Sequence, residues 1–401
     1  MTVVVSRRLF PADRAASPYL DVPFEVPEGT SSVHVSLSYA GEGAVIDLGC
    51  AGPAGWRGWS GGARRRFTVT ASAATPGYVA GPLEPGEWSV VLGLYRVPAE
   101  GVPVEVSVVL DDARAPLDPE PSGPPAPPRP PRRSLPAEAG LTWLACDFHA
   151  HTLHSDGSLG IAELASLAVA AGLDVLAVTD HNTVSHHASL PSVGARYGVT
   201  LLPGQEVTTD RGHANAFGPI PWVDFRQPPS SWVSFVESAG GLLSINHPLA
   251  GDCSWHHPLD VRPPLAEIFH HSWMAREWTG PLAWWTAWDL ATVPISGSDF
   301  HSPADGRPLA RPVTWVAAAS PTVPDVMDSL RAGRTALAWG VDEPVLLRVD
   351  GELVAVGADG LLLADMWGRR QVVRGELARF PGADGPHRLE TPMAAVVAVT
   401  P

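Results

Sequence analysis

The sequence predicts two folds in series, an antiparallel β-sandwich followed by an α/β domain in which strands and helices alternate. Three observations carry this reading. Apolar residues alternate strictly at Val33, Val35, Leu37 and Tyr39 and again at Val102, Val104, Val106 and Val108, with turn clusters such as Gly52-Pro53-Ala54-Gly55 between the runs. Residues 116 to 136 hold ten prolines. Beyond them, short apolar runs alternate with stretches of helical periodicity.

The elements follow in order. A chain of 401 residues implies two or three domains at roughly 100 to 200 residues each. Residues 1–112 form the β-sandwich. Residues 113–140 form a semi-rigid linker, because proline has no amide donor for a helix or a central strand. Residues 141–342 carry the strand and helix alternation: strands at Leu144 to Phe148, Val175 to Val178, Val199 to Leu202, Leu242 to Ile245 and Val293 to Ile295. A helix is expected from Ile161 to Ala171, opened by Ser158 and closed by Gly172, and another from Pro324 to Ala332, stopped by Gly333. Residues 343–401 read as a small β-rich segment, since Val349-Asp350-Gly351-Glu352 and Ala358-Asp359-Gly360-Leu361 have hairpin chemistry.

Composition excludes several function classes. All 27 basic residues are arginine, so chemistry that needs a lysine amine is ruled out: a P-loop, a pyridoxal or Schiff-base enzyme, a protein kinase, a carbamylated-lysine metal site. A net charge of −15 repels a phosphate backbone, which disfavours extended nucleic-acid binding. The partner expected is a small molecule. No apolar run approaches the ~18 residues of a membrane span, and the N-terminus lacks a secretory signal, so a cytoplasmic protein is expected. Cys50, Cys146 and Cys253 form no pair, and read as reduced, mostly buried side chains.

Thirteen of the fifteen histidines lie between His149 and His301, and they fall at strand ends. The first strand runs into His149-Ala150-His151, whose two imidazoles share one side of an extended segment and can bind one ion. Ser155-Asp156-Gly157, Thr179-Asp180-His181-Asn182, Gly204-Gln205-Glu206, Gly212-His213, Asn246-His247-Pro248 and Ser298-Asp299-Phe300-His301 follow. Nine donors result: His149, His151, Asp156, His181, Glu206, His213, His247, Asp299 and His301. That is too many for one ion. Strand ends of a parallel barrel converge on one face, where such folds build their sites.

These motifs resemble those of the PHP (polymerase and histidinol phosphatase) metal hydrolases, and within them the branch of CehA/McbA type. The resemblance spans about 150 residues and implies a distorted, TIM-like β/α barrel of seven strands, for which an N-terminal β domain is normal. It further implies that His149, His151, Glu206 and Asp299 hold one ion, with Glu206 bridging to a second held by His213 and His247. Asp156, His181 and His301 would hold a third. Two or three divalent ions are expected, manganese foremost, with zinc and iron as alternatives.

The function expected is a metal-dependent phosphoesterase that hydrolyses a small phosphomonoester, a nucleotide or sugar phosphate, through a metal-bridging hydroxide. Asp180, next to His181, is the candidate for orienting an imidazole, and His154 and His271 are the candidates for protonating the leaving group. Trp255, His257 and Trp273 are expected to wall the pocket, whereas the helical spacing of Trp284, Trp285 and Trp288 marks core packing. Among the arginines near the ligands, Arg276 and Arg307 are the candidates for a phosphate clamp. The alternatives are carbamate or ester hydrolysis on an aromatic substrate, and a non-catalytic metal-binding scaffold.

Overall fold

The computed structural model describes residues 2–112, 115–251, 253–270 and 280–401. His271, Trp273 and Arg276 lie outside them. The chain divides into two compact units, residues 1–122 with 151–160 and 180–188, and residues 123–150 with 161–179 and 189–401.

The first unit holds β1 (Thr2–Leu9), α1 (Pro11–Ala16), β2 (Tyr19–Val26), β3 (Ser32–Tyr39), β4 (Val45–Gly52), β5 (Gly55–Gly61), β6 (Arg66–Thr70), β7 (Gly86–Arg96) and β8 (Val102–Leu110). Two four-stranded antiparallel sheets form, in the orders β1-β8-β3-β6 and β2-β7-β4-β5. Alternation is what makes them a sandwich: Val102, Val104, Val106 and Val108 are buried, and they share one core with Val33, Val35 and Leu37 of β3 and Val90 and Leu92 of β7.

The second unit begins with a proline-rich stretch of no regular secondary structure. Arginine side chains fasten it. Arg129 and Arg132 reach the buried carboxylate of Asp174 at 3.6 and 2.7 Å, and Arg133 donates to the carbonyls of Val341 and Val356. The stiffness expected of the linker is thus supplemented by side-chain anchors.

Then come β9 (Thr142–Asp147), α2 (Ile161–Ala170), β10 (Val175–Val178), α3 (Leu190–Tyr197), β11 (Thr200–Thr209), β12 (Gly212–Phe217), α4 (Pro229–Ser238), β13 (Leu242–Ile245), β14 (Leu265–His270), α5 (Gly280–Trp288), β15 (Val293–Gly297), β16 (Val313–Ala318), α6 (Val323–Arg331) and β17 (Thr335–Ala338). The C-terminal residues add β18 (Val345–Val349), β19 (Glu352–Val356), β20 (Leu362–Asp365), β21 (Arg370–Val372), β22 (Leu377–Pro381), β23 (His387–Glu390) and β24 (Val396–Thr400). The architecture is mixed α/β. A 13-stranded sheet runs β15-β14-β13-β12-β11-β10-β9-β16-β17-β24-β23-β20-β21, beside a three-stranded sheet β18-β19-β22.

The sheet is parallel from β9 to β11 and from β13 to β15, but β12 pairs antiparallel with both neighbours. A two-residue connection from β11 to β12 permits only a hairpin, so the uninterrupted strand and helix alternation expected of this stretch is broken there. At the end of the sheet, the Thr314 hydroxyl of β16 accepts from the Ser296 amide of β15 at 2.8 Å. The central strands are buried on both faces: all four residues of β10 and all four of β13 are buried, Ser244 being the polar one among them. Trp285 is buried and Trp284 stacks on Trp288 at 5.2 Å, which is the packing role expected of them. Among the described residues, no helix is long and apolar enough to cross a membrane.

Asp174 joins several of these elements, because it also accepts from the Ala145 amide of β9 at 3.1 Å. Replacing it (Asp174→Ala) removes that bond and both arginine contacts. We expect a loss of about 1–3 kcal/mol in denaturant unfolding, the cost of orphaning a buried donor. A change within about 0.5 kcal/mol, the range of an ordinary surface substitution, would show that the linker arginines do not secure this strand.

Candidate metal centre

Glu206 is the hub of the second unit. It sits in β11, fully buried, and its Oε1 lies 3.2 Å from His149 Nε2, 3.1 Å from His213 Nδ1 and 3.4 Å from His247 Nε2. The Asn246 amide donates to the same oxygen at 2.7 Å. Three imidazoles thus converge on one carboxylate oxygen. Each arrives from a different place: His149 two residues beyond β9, His213 within β12, and His247 two residues beyond β13.

Asp299 closes the group. Its Oδ1 is 3.2 Å from His149 Nε2, its Oδ2 is 3.5 Å from His270 Nε2, and its carbonyl oxygen is 2.9 Å from His301 Nδ1. Backbone strain marks the same residues. His247 and Asp299 adopt φ of 26° and 53°, in the left-handed region that costs an ordinary side chain on the order of 1–3 kcal/mol and clusters at functional sites. Gly297 shows why a side chain is excluded beside them: a Cβ there would fall 2.3 Å from the Cβ of His149 and 2.7 Å from Glu267 Oε1.

The electrostatics follow from this packing. Burial disfavours the imidazolium of His149, but the carboxylates of Glu267, Glu206 and Asp299 outweigh it and hold its pKa well above the ordinary value. His247 is raised in the same way, against burial, by its bonds to Cys253 and Glu206 and by Asp299. Burial pushes Asp147, at the end of β9, up to about 6, against the bonds donated by Ser298, Ala310 and His149. Positive charge is therefore favoured in the middle of this group, whether as protons or as a cation.

Three of the nine candidate donors, His151, Asp156 and His181, lie in the first unit. His151 and His181 stack with ring centroids 4.4 Å apart, and His181 Nε2 is 3.5 Å from Asp156 Oδ1. Ligand atoms of His151, Asp156 and His181 lie within 4.8 Å of one another. Asp180, buried next to His181 in sequence, faces a different imidazole. Its Oδ2 is 3.3 Å from His186 Nδ1 and accepts from the Thr152 hydroxyl at 2.7 Å, while its Oδ1 accepts from the Thr152 amide and the Ser155 hydroxyl. The imidazole that Asp180 meets is thus that of His186.

Of the other candidates, His154 has both ring nitrogens engaged. Nδ1 meets the Ser185 hydroxyl at 2.6 Å, and Nε2 meets the Glu120 carboxylate at 2.5 Å. Such a ring is committed to holding loops together. Trp255 and His257 stand at the β11–β12 hairpin, their rings 5.0 Å apart, with His257 Nε2 at 2.8 Å from the Thr209 hydroxyl. Burial first, and then the Arg211 charge, push His257 down to about 4. Arg307 is exposed. Arg211 donates to the His256 carbonyl and Arg311 pairs with Glu343.

Two functional candidates were not visible in the motifs. Glu267 in β14 is fully buried and touches two of the histidines. Cys253 is half-buried with its Sγ 3.3 Å from His247 Nδ1; Cys50 and Cys146 are buried, and all three are free. A lone glutamate inside the apolar run Leu265-Ala-Glu-Ile-Phe269 was the signal available for the first.

The geometry suits a divalent cation. Two donors bound at about 2.1 Å and at a tetrahedral angle lie roughly 3.4 Å apart. The nitrogen to oxygen separations around Glu206 and Asp299 are 3.1 to 3.5 Å, and the donors are imidazole and carboxylate, as manganese, zinc and iron prefer.

No protein-family profile matches the chain. It is 36% identical over 64 residues, 16% of its own length, to a 5'-3' exoribonuclease of Haemophilus influenzae, of which the match spans 23%. Among solved structures it is similar to a two-domain protein of Bacteroides vulgatus containing a predicted PHP-like metal-dependent phosphoesterase, with 17% identity, covering 69% of this chain and 99% of that one, at a TM-score of 0.43. It is also similar, at 17% identity each, to a protein of Bifidobacterium adolescentis described as a metal-dependent phosphoesterase (41% of this chain, 90% of that one, TM-score 0.32) and to an amidohydrolase of Chromobacterium violaceum with bound sulfate and no metal (41% and 89%, TM-score 0.29). With TM-scores under 0.5, none of these likenesses assigns a fold or an activity to this chain.

Acid should expose the Asp180 network. Burial pushes its carboxyl up, and the imidazoles of His186, His154 and His151, with the Thr152 hydroxyl, overcome this and set it at about 2. A depressed carboxyl stabilises the fold fully above its ordinary value of 3.8 and loses that contribution as pH falls through about 2. Thermal unfolding should therefore fall less steeply between about pH 5 and pH 2 for Asp180→Asn than for the parent chain. Parallel curves would show that Asp180 does not carry this acid sensitivity.

Proposed function

We propose that the chain is a metal-dependent hydrolase of phosphoesterase type acting on a small phosphomonoester, a nucleotide or sugar phosphate. The observation that carries this reading is the convergence of His149, His213 and His247 on Glu206 Oε1. The order of the motifs along the chain, which resembles that of the PHP hydrolases, agrees with it. So does the approach of β15 to β16 through Thr314, which brings the two ends of the β9–β16 strand set together as a distorted barrel requires.

The residues that would hold the cations are His149, Glu206, His213, His247, Asp299 and His301 in the second unit, and His151, Asp156 and His181 in the first. Manganese is the first choice, with zinc and iron as alternatives. When bound, such cations acidify a coordinated water and neutralise the oxygens of a phosphoryl group. The chain's own part is placement. Asn246 fixes the Glu206 carboxylate by a 2.7 Å bond, and the His149 carbonyl fixes the Asp299 backbone by accepting its amide at 2.9 Å. Exposure is graded across the group: the His149 and Glu206 side chains are fully buried, whereas those of His213, Asp299 and His301 are 16%, 16% and 26% exposed. A substrate therefore approaches from the side of these three, and water is excluded from the side of His149.

A second reading keeps the metals and changes the substrate to an aromatic ester or carbamate. It is favoured by Trp255, which lies against Gly212, the residue before His213.

Purified protein supplied with manganese should hydrolyse p-nitrophenyl phosphate, and His149→Ala or Glu206→Gln should abolish turnover while leaving the far-ultraviolet circular dichroism unchanged. Hydrolysis of an aryl carbamate alone would select the second reading. Turnover of neither, with metal bound, would make the chain a metal-binding scaffold, and full activity in either variant would place the chemistry in other residues.

A further inference from the structure

Strand β14 carries a device that the nine motif residues do not include. Its parallel pairing with β15 shifts register between Glu267 and Phe269. In a regular strand residues three apart face opposite sides, and a bulge resets the alternation and re-aims a side chain. Here both Glu267 and His270 are buried and both meet the same group of histidines. Glu267 Oε1 lies 2.8 Å from His149 Nδ1, and Glu267 Oε2 accepts from the backbone amide of His247 at 2.8 Å. The His270 ring is centred 5.0 Å from that of His247.

We propose that Glu267 is the positioning residue of this donor set, a proposal that rests on the metal-dependent reading above. By accepting the Nδ1 proton of His149, the carboxylate fixes the tautomer whose Nε2 lone pair points to Glu206 and Asp299. With its other oxygen it holds the amide of His247, a residue whose φ of 26° needs such support. One side chain thereby sets the ring of one histidine and the backbone of another, 98 residues apart in sequence. Glu267 is assigned positioning rather than ligation because each of its oxygens meets a group that orients the donor set, Oε1 the Nδ1 of His149 and Oε2 the amide of His247. The remainder of the bulged strand supports the same group, since His270 Nε2 lies 3.5 Å from Asp299 Oδ2.

The test is manganese affinity, measured by competition with a chromogenic chelator, in the full chain and in Glu267→Gln and Glu267→Asp. Glutamine keeps the shape but can accept only one of the two bonds, and should weaken binding about 10- to 100-fold. Aspartate, whose shorter side chain reaches one partner at a time, should be intermediate. A role confined to packing would lower the unfolding temperature and leave the affinity of the folded protein unchanged. If the parent chain binds manganese and Glu267→Gln, folded by circular dichroism, binds it equally, the proposal is overturned alone. If Glu267→Gln does not fold, Glu267→Asp decides the question, and unchanged affinity there overturns it. A parent chain that binds no manganese overturns the functional reading as well.

Discussion

A buried carboxylate facing three imidazoles is the constraint on which the rest of the second unit depends. Glu206 has no solvent to stabilise its charge, and a carboxylate moved into such surroundings is costly unless it is paired. Asp299 and Glu267 add to the problem, since both lie against the same His149 ring. The raised pKa values of His149 and His247 express the demand in one form: positive charge is wanted at this spot. A divalent cation answers it in another, with ligands already at suitable spacing. Nothing in ordinary core packing would assemble so many polar groups in one place.

The backbone serves this arrangement. Central strands buried on both faces supply a rigid base; Glu206 and His213 sit within paired strands, whereas His149, His247 and Asp299 lie just past strand ends, where the chain leaves the ladder and can be bent. His247 and Asp299 are bent into the left-handed region, and Gly297 leaves room for the His149 ring to pass. Strain of this kind is retained only where neighbouring contacts over-determine it. The amide of His247 on Glu267 and the amide of Asp299 on the His149 carbonyl are two such contacts.

Much of this was legible in the sequence, and the exceptions have physical causes. The strands at Val175 to Val178 and Leu242 to Ile245 appear in the structure with the bounds read from their apolar runs. The helix at Ile161 ends one residue early, at Ala170. The direction of β12 was not legible, because periodicity reports which residues are buried and not which way a strand runs; only the shortness of its connection to β11 decides that. Strand β14 lies between Pro263-Pro264 and a histidine pair, so no strand and no role for its glutamate was read from the sequence. Which imidazole Asp180 meets was not legible, because sequence adjacency does not report which side chains a turn brings together; it is His186. Strand-end positions marked nine donors, and the structure brings His149, Glu206, His213, His247 and Asp299 of them together. Glu267, which touches two of the group, was not among the nine.

The most direct examination of the central claim is anomalous diffraction from crystals grown with manganese, recorded at the manganese edge. The account predicts a peak at about 2.0–2.2 Å from a Glu206 carboxylate oxygen and from at least one of the imidazole nitrogens of His149, His213 and His247. Crystals that take up manganese elsewhere, or a map with no anomalous peak beside Glu206, would contradict it.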